Sequence, residues 1–145
     1  MRSEKERIWL FFCDGAARGN PGPGAVAFIG FDETGRLIGN RSEVLGRSTN
    51  NEAEYKAVIM CLEFVRDKYK ALGFQGKVKI FSDSQLIVSQ IKGLFRVKEK
   101  RLFDLVMAVK ERERGLPFQV EYILVPREVN YWPDRLVNAA LDGEV

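Results

Sequence analysis

Four acidic residues, Asp14, Glu54, Asp83 and Asp134, are the side chains of this sequence best placed to do chemistry together, and no histidine is present to assist them. Without an imidazole, catalysis has to rest on carboxylates, lysine, tyrosine or thiol. Carboxylates gathered near a sheet edge repel and raise one another's pKa. Hard divalent cations with oxygen ligands relieve that repulsion. Two such ions about 3.5–4 Å apart can activate a water and stabilise the leaving oxygen of a phosphodiester. Carboxylates without histidine therefore point to metal-assisted phosphoryl chemistry.

Each acid also has a plainer reading. Asp14-Gly15 is a common turn dipeptide, and Asp83 ahead of Ser84-Gln85 can cap a helix. Asp134 falls in the first turn of a helix, where the dipole alone favours an anion. Glu54 can close a capping box with Asn51, but a cap does not explain a carboxylate that leads an apolar face. Helical geometry selects Glu54 over Glu52, because two residues amount to about 200° of rotation. Glu54 continues the line through Val58 and Cys61. Glu52 turns to the wet face, where it can pair with Lys56.

The elements that must carry these residues read as follows. Residues 8–13 form a continuous apolar run, the pattern of a central strand covered on both faces. The run ends at Asp14-Gly15, before a stretch rich in Gly and Pro that lasts to Gly24. Segments 25–31 and 37–45 read as strands joined by the turn Asp32-Glu33-Thr34-Gly35. Over 51–72 the period becomes helical, with Ala57, Val58, Cys61, Val65 and Leu72 in one stripe. A strand at 78–82 and a helix at 84–91 come next, then a helix at 101–114 stopped by Gly115 and Pro117. A last strand covers 119–125, and a last helix 131–141 tolerates Pro133 in its first turn.

The order βββ-α-β-α-α-β-α implies an α/β fold with a mixed sheet, an antiparallel meander followed by parallel strands reached through helical crossovers. If the first and fourth strands are parallel neighbours, Asp14 and Asp83 end them about 4.8 Å apart. That is the carboxyl edge, where open α/β sheets bind ligands.

Length and composition set the frame. With 145 residues, 46% hydrophobic and 30% charged, the chain reads as one domain over 1–145 with a real core. No apolar run approaches a membrane span, and the charged start Met1-Arg2-Ser3-Glu4-Lys5-Glu6-Arg7 is not that of a signal peptide. Cys13 and Cys61 make neither a disulfide framework nor a metal-spaced pair. An intracellular, cytoplasmic protein is expected. The net charge of +3 permits a polyanionic partner without demanding one.

Four motifs carry a family likeness. They are Asp14-Gly15-Ala16-Ala17-Arg18-Gly19-Asn20-Pro21-Gly22-Pro23-Gly24-Ala25, Thr49-Asn50-Asn51-Glu52-Ala53-Glu54, Ser82-Asp83-Ser84-Gln85, and Asn130 with Asp134 four residues later. Together, in this order and register over 8–141, the chain resembles type 1 ribonuclease H. The resemblance implies a ribonuclease H-like five-stranded mixed sheet, three strands antiparallel and then two parallel, flanked by helices. It implies an endonuclease that cuts the RNA strand of an RNA–DNA hybrid with Mg²⁺ or Mn²⁺, leaving 3′-hydroxyl and 5′-phosphate ends. Asp14, Glu54, Asp83 and Asp134 would be the catalytic metal ligands.

By the same likeness, Asn20, Asn50, Asn51 and Gln85 would meet 2′-hydroxyls and base edges in the minor groove, where amides can both donate and accept. Asn50 and Asn51 can equally serve as helix caps, one capping while the other binds. Arg47 and Thr49 would grip a DNA-strand phosphate. A monomer is expected, with double-stranded RNA left open as a further substrate.

Two departures stand out. Many members of the family carry a histidine in the loop before the last helix. Here the loop is 125–129, with Arg127 the nearest substitute and Glu128 a weaker one. Segment 92–101 is shorter than the basic protrusion of some members. Its cations and Phe95 either track a phosphate backbone or form a solvated helix start with Phe95 in the core. A non-cleaving hybrid-binding module is the alternative reading, opposed by four acids facing a polyanion. An exonuclease of the same general fold is opposed by Gly15-Ala16 after Asp14, where such enzymes carry Asp-x-Glu.

Overall fold

The computed structural model describes residues 7–143, so the charged start at 1–6 lies outside the described residues. The elements are β1 (Arg7–Ala17), β2 (Gly22–Phe31), β3 (Leu37–Ser48), α1 (Asn50–Leu72), β4 (Gly76–Ser82), α2 (Gln85–Ile91), α3 (Lys100–Arg114), β5 (Val120–Leu124) and α4 (Tyr131–Leu141), with a 3₁₀ turn at Arg127–Asn130 before α4. The expected order is the observed one. The strands form a single sheet ordered β3-β2-β1-β4-β5. β1 pairs antiparallel with β2 and parallel with β4, and β4 pairs parallel with β5.

The two faces of β1 feed two layers. Trp9, Phe11 and Cys13 are buried on the face that meets α1, alongside Ala57, Val58, Cys61 and Val65. Burying each large side chain of this kind contributes roughly 1.5–3 kcal/mol. Trp9 stacks on Phe74 with ring centroids 4.0 Å apart. On the other face Ala25, Ala27, Val137 and Ala140 form a smaller core that seats α4 against β2. Small residues on both sides let helix and sheet approach closely.

Two expectations need correction, and one of the two readings of Phe95 falls. β1 does not end at Asp14: Gly15, Ala16 and Ala17 stay paired with Val26, Ala25 and Gly24 of β2. Leu72, placed on the buried stripe of α1 by periodicity, is 54% exposed, because it sits in the last turn, next to the left-handed Gly73 cap. Phe95 is 46% exposed and so is not part of the core.

Candidate active site

Parallel pairing of β1 with β4 runs as far as Phe12 opposite Phe81. Two residues beyond each lie Asp14 and Asp83, so the register brings the two carboxylates level. The Phe12 and Phe81 rings stack at 4.6 Å and 13°, bracing the strands just below the acids. Ser84, not Asp83, is the cap of α2: its Oγ accepts from the Ile87 amide at 3.3 Å. The Ser82 hydroxyl in turn accepts from the Ser84 amide at 3.1 Å. The capping reading of Asp83 therefore fails, as does the turn reading of Asp14, which lies within a strand.

Glu54 arrives from the opposite side of the sheet. Alternation along β1 turns residue 15 toward α1, and only glycine fits there. A Cβ on Gly15 would lie 2.2 Å from the Ala53 carbonyl oxygen and 2.7 Å from the Glu54 amide nitrogen. The start of α1 thus rests directly on the β1 backbone, which lets Glu54 reach Asp14. The cap that holds this start is Thr49, not Asn51: Thr49 Oγ1 accepts from the Glu52 amide at 3.1 Å, and Glu52 Oε1 accepts from the Thr49 amide at 2.9 Å. That reciprocal box corrects the wet-face placement of Glu52, whose ion partner is Arg101 at 3.5 Å rather than Lys56.

The last segment closes the site. Asn130 is fully buried and donates from Nδ2 to the Cys13 carbonyl oxygen at 2.7 Å, tying the 3₁₀ turn to the residue before Asp14. Its side chain also lies near enough to Asp83 to favour the charged form of that carboxyl. The sequence showed Asn130 only as part of a motif. Its anchoring role depends on contacts between parts of the chain far apart in sequence and has no local signal.

Asp14, Glu54 and Asp83 come together so closely that one oxygen of each lies within 4.8 Å of the others. They line a cavity of about 280 Å³ together with Asp134, Asn50 and Arg127. All four predicted acids are therefore in one place, three in a tight group and Asp134 on the wall. Burial, followed by the charges of Asp83 and Asp134, pushes the Asp14 carboxyl up to about 8. Burial and the charges of Asp14 and Asp83 hold Glu54 well above the usual carboxylate range. Burial also raises Asp83, with Arg127 and Asn130 pulling it back. Hard oxygen donors that cannot all ionise cheaply are a donor set suited to a divalent cation, and Mg²⁺ and Mn²⁺ both fit that description.

A pH dependence follows. Asp14 keeps its proton to about pH 8 in the folded chain but loses it near 3.8 when unfolded. Between those values the folded state binds more protons, so metal-free stability falls as pH rises from about 4 to about 8. Thermal unfolding in EDTA should show Tm declining across that range. Asp14→Asn should flatten the decline, and an unchanged slope in that variant would count against the assignment.

Of the remaining residues singled out from the sequence, Asn50 lines this cavity and the others lie outside its lining. Asn20 Oδ1 accepts from the Asn50 amide at 3.0 Å, and Asn50 Oδ1 accepts from the Ala17 amide at 2.8 Å. These bonds stitch the β1–β2 loop to α1. Asn51 is half-buried in the first turn of α1, Gln85 is exposed at the first position of α2, and Arg47 is exposed on β3 opposite Pro23.

The comparisons agree with this geometry. The chain matches the RNase H family over residues 6–119. It is 35% identical over 137 residues to the ribonuclease HI of Halobacterium salinarum, covering 94% of this chain and 65% of that protein. A bifunctional protein of Mycobacterium tuberculosis is 37% identical over 134 residues, covering 90% of this chain and 34% of the other. The chain therefore spans just under two thirds of the first relative and about one third of the second. Among solved structures, the Halobacterium salinarum RNase H1 superposes with TM-score 0.85 at 33% identity, covering 94% of this chain and 98% of that one. LC11-RNase H1 in complex with an RNA/DNA hybrid superposes with TM-score 0.88 at 34% identity, covering 93% and 97%. With the family matched over most of its length and the four acids gathered as that likeness requires, this chain belongs to the RNase H family.

Proposed function

We infer that the chain is an endonuclease that hydrolyses the RNA strand of RNA–DNA hybrids and leaves 5′-phosphate and 3′-hydroxyl ends. The observation that carries this reading is the group of Asp14, Glu54 and Asp83, with Asp134 on the same cavity wall. These four would hold Mg²⁺ or Mn²⁺. The chemistry a pair of such ions supplies is activation of water and stabilisation of the leaving oxygen. The chain's own residues hold the acids in place: Gly15 admits α1, the Thr49–Glu52 box fixes its start, and Asn130 ties β1 to the last segment. Arg127, on the cavity wall, faces Asp14 and Asp83 and offsets their charge as a phosphate approaches. It is the nearest substitute for the histidine that many family members carry in this loop, but it cannot act as a base, since guanidinium does not deprotonate in proteins.

Substrate contacts are proposed for Asn20, Asn50, Asn51 and Gln85 at 2′-hydroxyls and base edges, and for Arg47 and Thr49 at a DNA-strand phosphate. The amide NH₂ groups of Asn20 and Asn50 remain able to donate while their oxygens hold the loop to α1. The free cysteines accord with a reducing, cytoplasmic setting, and the reading has the protein acting there as a monomer. Among the described residues, no helix is long and apolar enough to cross a membrane.

The test is a gel assay with labelled hybrid, double-stranded RNA and single-stranded RNA, each with Mg²⁺, Mn²⁺ or EDTA. Cleavage of the hybrid's RNA strand with either metal and none in EDTA is expected. Retention of hybrid without any cleavage would instead establish the binding-module alternative.

A further inference from the structure

On the outer side of α4, beside the cavity, Tyr131 and Arg135 form a unit that the acids and loops described so far do not use. At about 100° per residue, Tyr131 falls about 60° and Arg135 about 100° around the helix from Asp134, both to the same side. The buried Pro133, Val137 and Ala140 fall to the other side, against the sheet. Arg135 Nη1 donates to the Tyr131 hydroxyl at 3.2 Å, and its guanidinium carbon lies 5.8 Å from the centroid of the tyrosine ring. The arginine is thus held back over the first turn of α4 by the tyrosine.

What this cation lacks is an anion. Arg7, Arg18, Arg66 and Arg101 each lie within salt-bridge reach of a carboxylate, while exposed arginines such as Arg47 and Arg96 do not among the described residues. Arg135 differs from these last in being held by an aromatic ring and its hydroxyl. Arg135 has no carboxylate partner among the described residues, and its neighbour is a neutral phenol. Ordering a long side chain costs rotamer entropy, and here no protein charge is gained in return. A fixed, unneutralised guanidinium beside a cavity walled by four acids is suited to a planar oxyanion arriving with the substrate. It would also reduce the repulsion that a nucleic-acid strand meets at those acids.

We propose that Tyr131 and Arg135 form a phosphate subsite on α4, which binds a backbone phosphodiester of the nucleic acid next to the one being cut. The subsite rests on the ribonuclease reading above. Arg135 is the ligand, and Tyr131 positions it through its ring and hydroxyl and can donate that hydroxyl to the same phosphate. Nothing in the subsite touches the water or the leaving oxygen, so it acts on binding rather than on the chemical step.

The test compares wild type, Arg135→Gln and Tyr131→Phe on a hybrid substrate, by steady-state cleavage and by fluorescence anisotropy of labelled hybrid across a salt series. Arg135→Gln is expected to raise KM about fivefold with kcat unchanged, and to reduce the log–log salt slope of binding by about one. Tyr131→Phe keeps the ring and should give a smaller rise in KM with a nearly unchanged slope. Wild-type KM and slope in Arg135→Gln would overturn the subsite, as would a fall in kcat at constant KM. Failure of the ribonuclease reading looks different: the wild-type protein itself would leave the hybrid uncut in Mg²⁺ and Mn²⁺, whatever the anisotropy series showed.

Discussion

Asp14→Asn lowers turnover on an RNA–DNA hybrid by about 10³-fold or more in Mg²⁺, while the variant binds the hybrid at least as tightly as wild type. The size follows from the several kcal/mol of transition-state charge stabilisation that a bound metal supplies, at about 1.4 kcal/mol per tenfold in rate. Asp14 is the member of the acidic group that sits on the central strand, with Asp83, Asp134 and Glu54 all close enough to act on its charge or be acted on by it. Losing it removes a carboxylate from the middle of the group rather than from its edge. Binding survives because the change removes a negative charge from a surface that meets a polyanion. The same substitution should raise Tm in EDTA, since it relieves burial and like-charge repulsion that the metal-free protein otherwise bears. Activity and stability move in opposite directions, as is common where a site is held under strain. Wild-type turnover in the variant would remove Asp14 from the metal set. Asp83→Asn should behave alike in turnover, with a smaller gain in Tm because Arg127 and Asn130 already offset part of its burial.

Gly15→Ala is the second large effect, and it works without touching a charged group. The added methyl meets the Ala53 carbonyl oxygen at 2.2 Å, and both the oxygen and the strand are backbone, so no side chain can swing aside. Either β1 or the start of α1 has to move by about 1 Å. Overpacking of this kind costs about 1–3 kcal/mol. Because the displacement falls between Asp14 and Glu54, it also spreads the ligand set, and a shift of about 1 Å can cost about 10²-fold in rate. Gly115→Ala is the matched control. Its Cβ would meet nothing closer than the Arg112 carbonyl oxygen at 3.5 Å, so Tm and turnover should stay at wild-type values. Gly15→Ala with normal turnover would mean that α1 can retreat without carrying Glu54 away.

Sequence pattern carried the fold a long way, and the reasons it stopped are specific. Helical period alone separated Glu54 from Glu52, because Val58 and Cys61 continue the same line into the core. Strand order followed from a meander and two crossovers. The true cap is not legible because two overlapping stretches satisfy one rule: Asn51 to Glu54, the plainer reading set aside for Glu54, and Thr49 to Glu52 are both a capping residue followed three later by Glu. Only the approach of Ala53 to Gly15, a contact between distant parts of the chain, turns Glu54 into the cavity and leaves Glu52 to close the box. The end of β1 was placed too early because the strand has two partners that stop at different points, β4 at Phe12 and β2 at Ala17. The apolar run marked only the stretch shared with β4. Sequence position marks Arg127 as the nearest group to the missing histidine, and the fold places it on the cavity wall. The pairing of Tyr131 with Arg135 was present as a four-residue spacing, but its meaning depends on where α4 lies relative to Asp134.

The bond from Asn130 to the Cys13 carbonyl has a further consequence for how such a protein is made. Synthesis runs from the amino end, and domains begin to fold as they emerge. The sheet strands, α1 and Asp83 all leave the ribosome before the turn that bears Asn130 and before Asp134. A nascent chain can therefore hold three of its four acids yet lack both the clamp on β1 and the last wall of the cavity. Closure of the acidic cavity therefore waits until α4 is free to dock against β2.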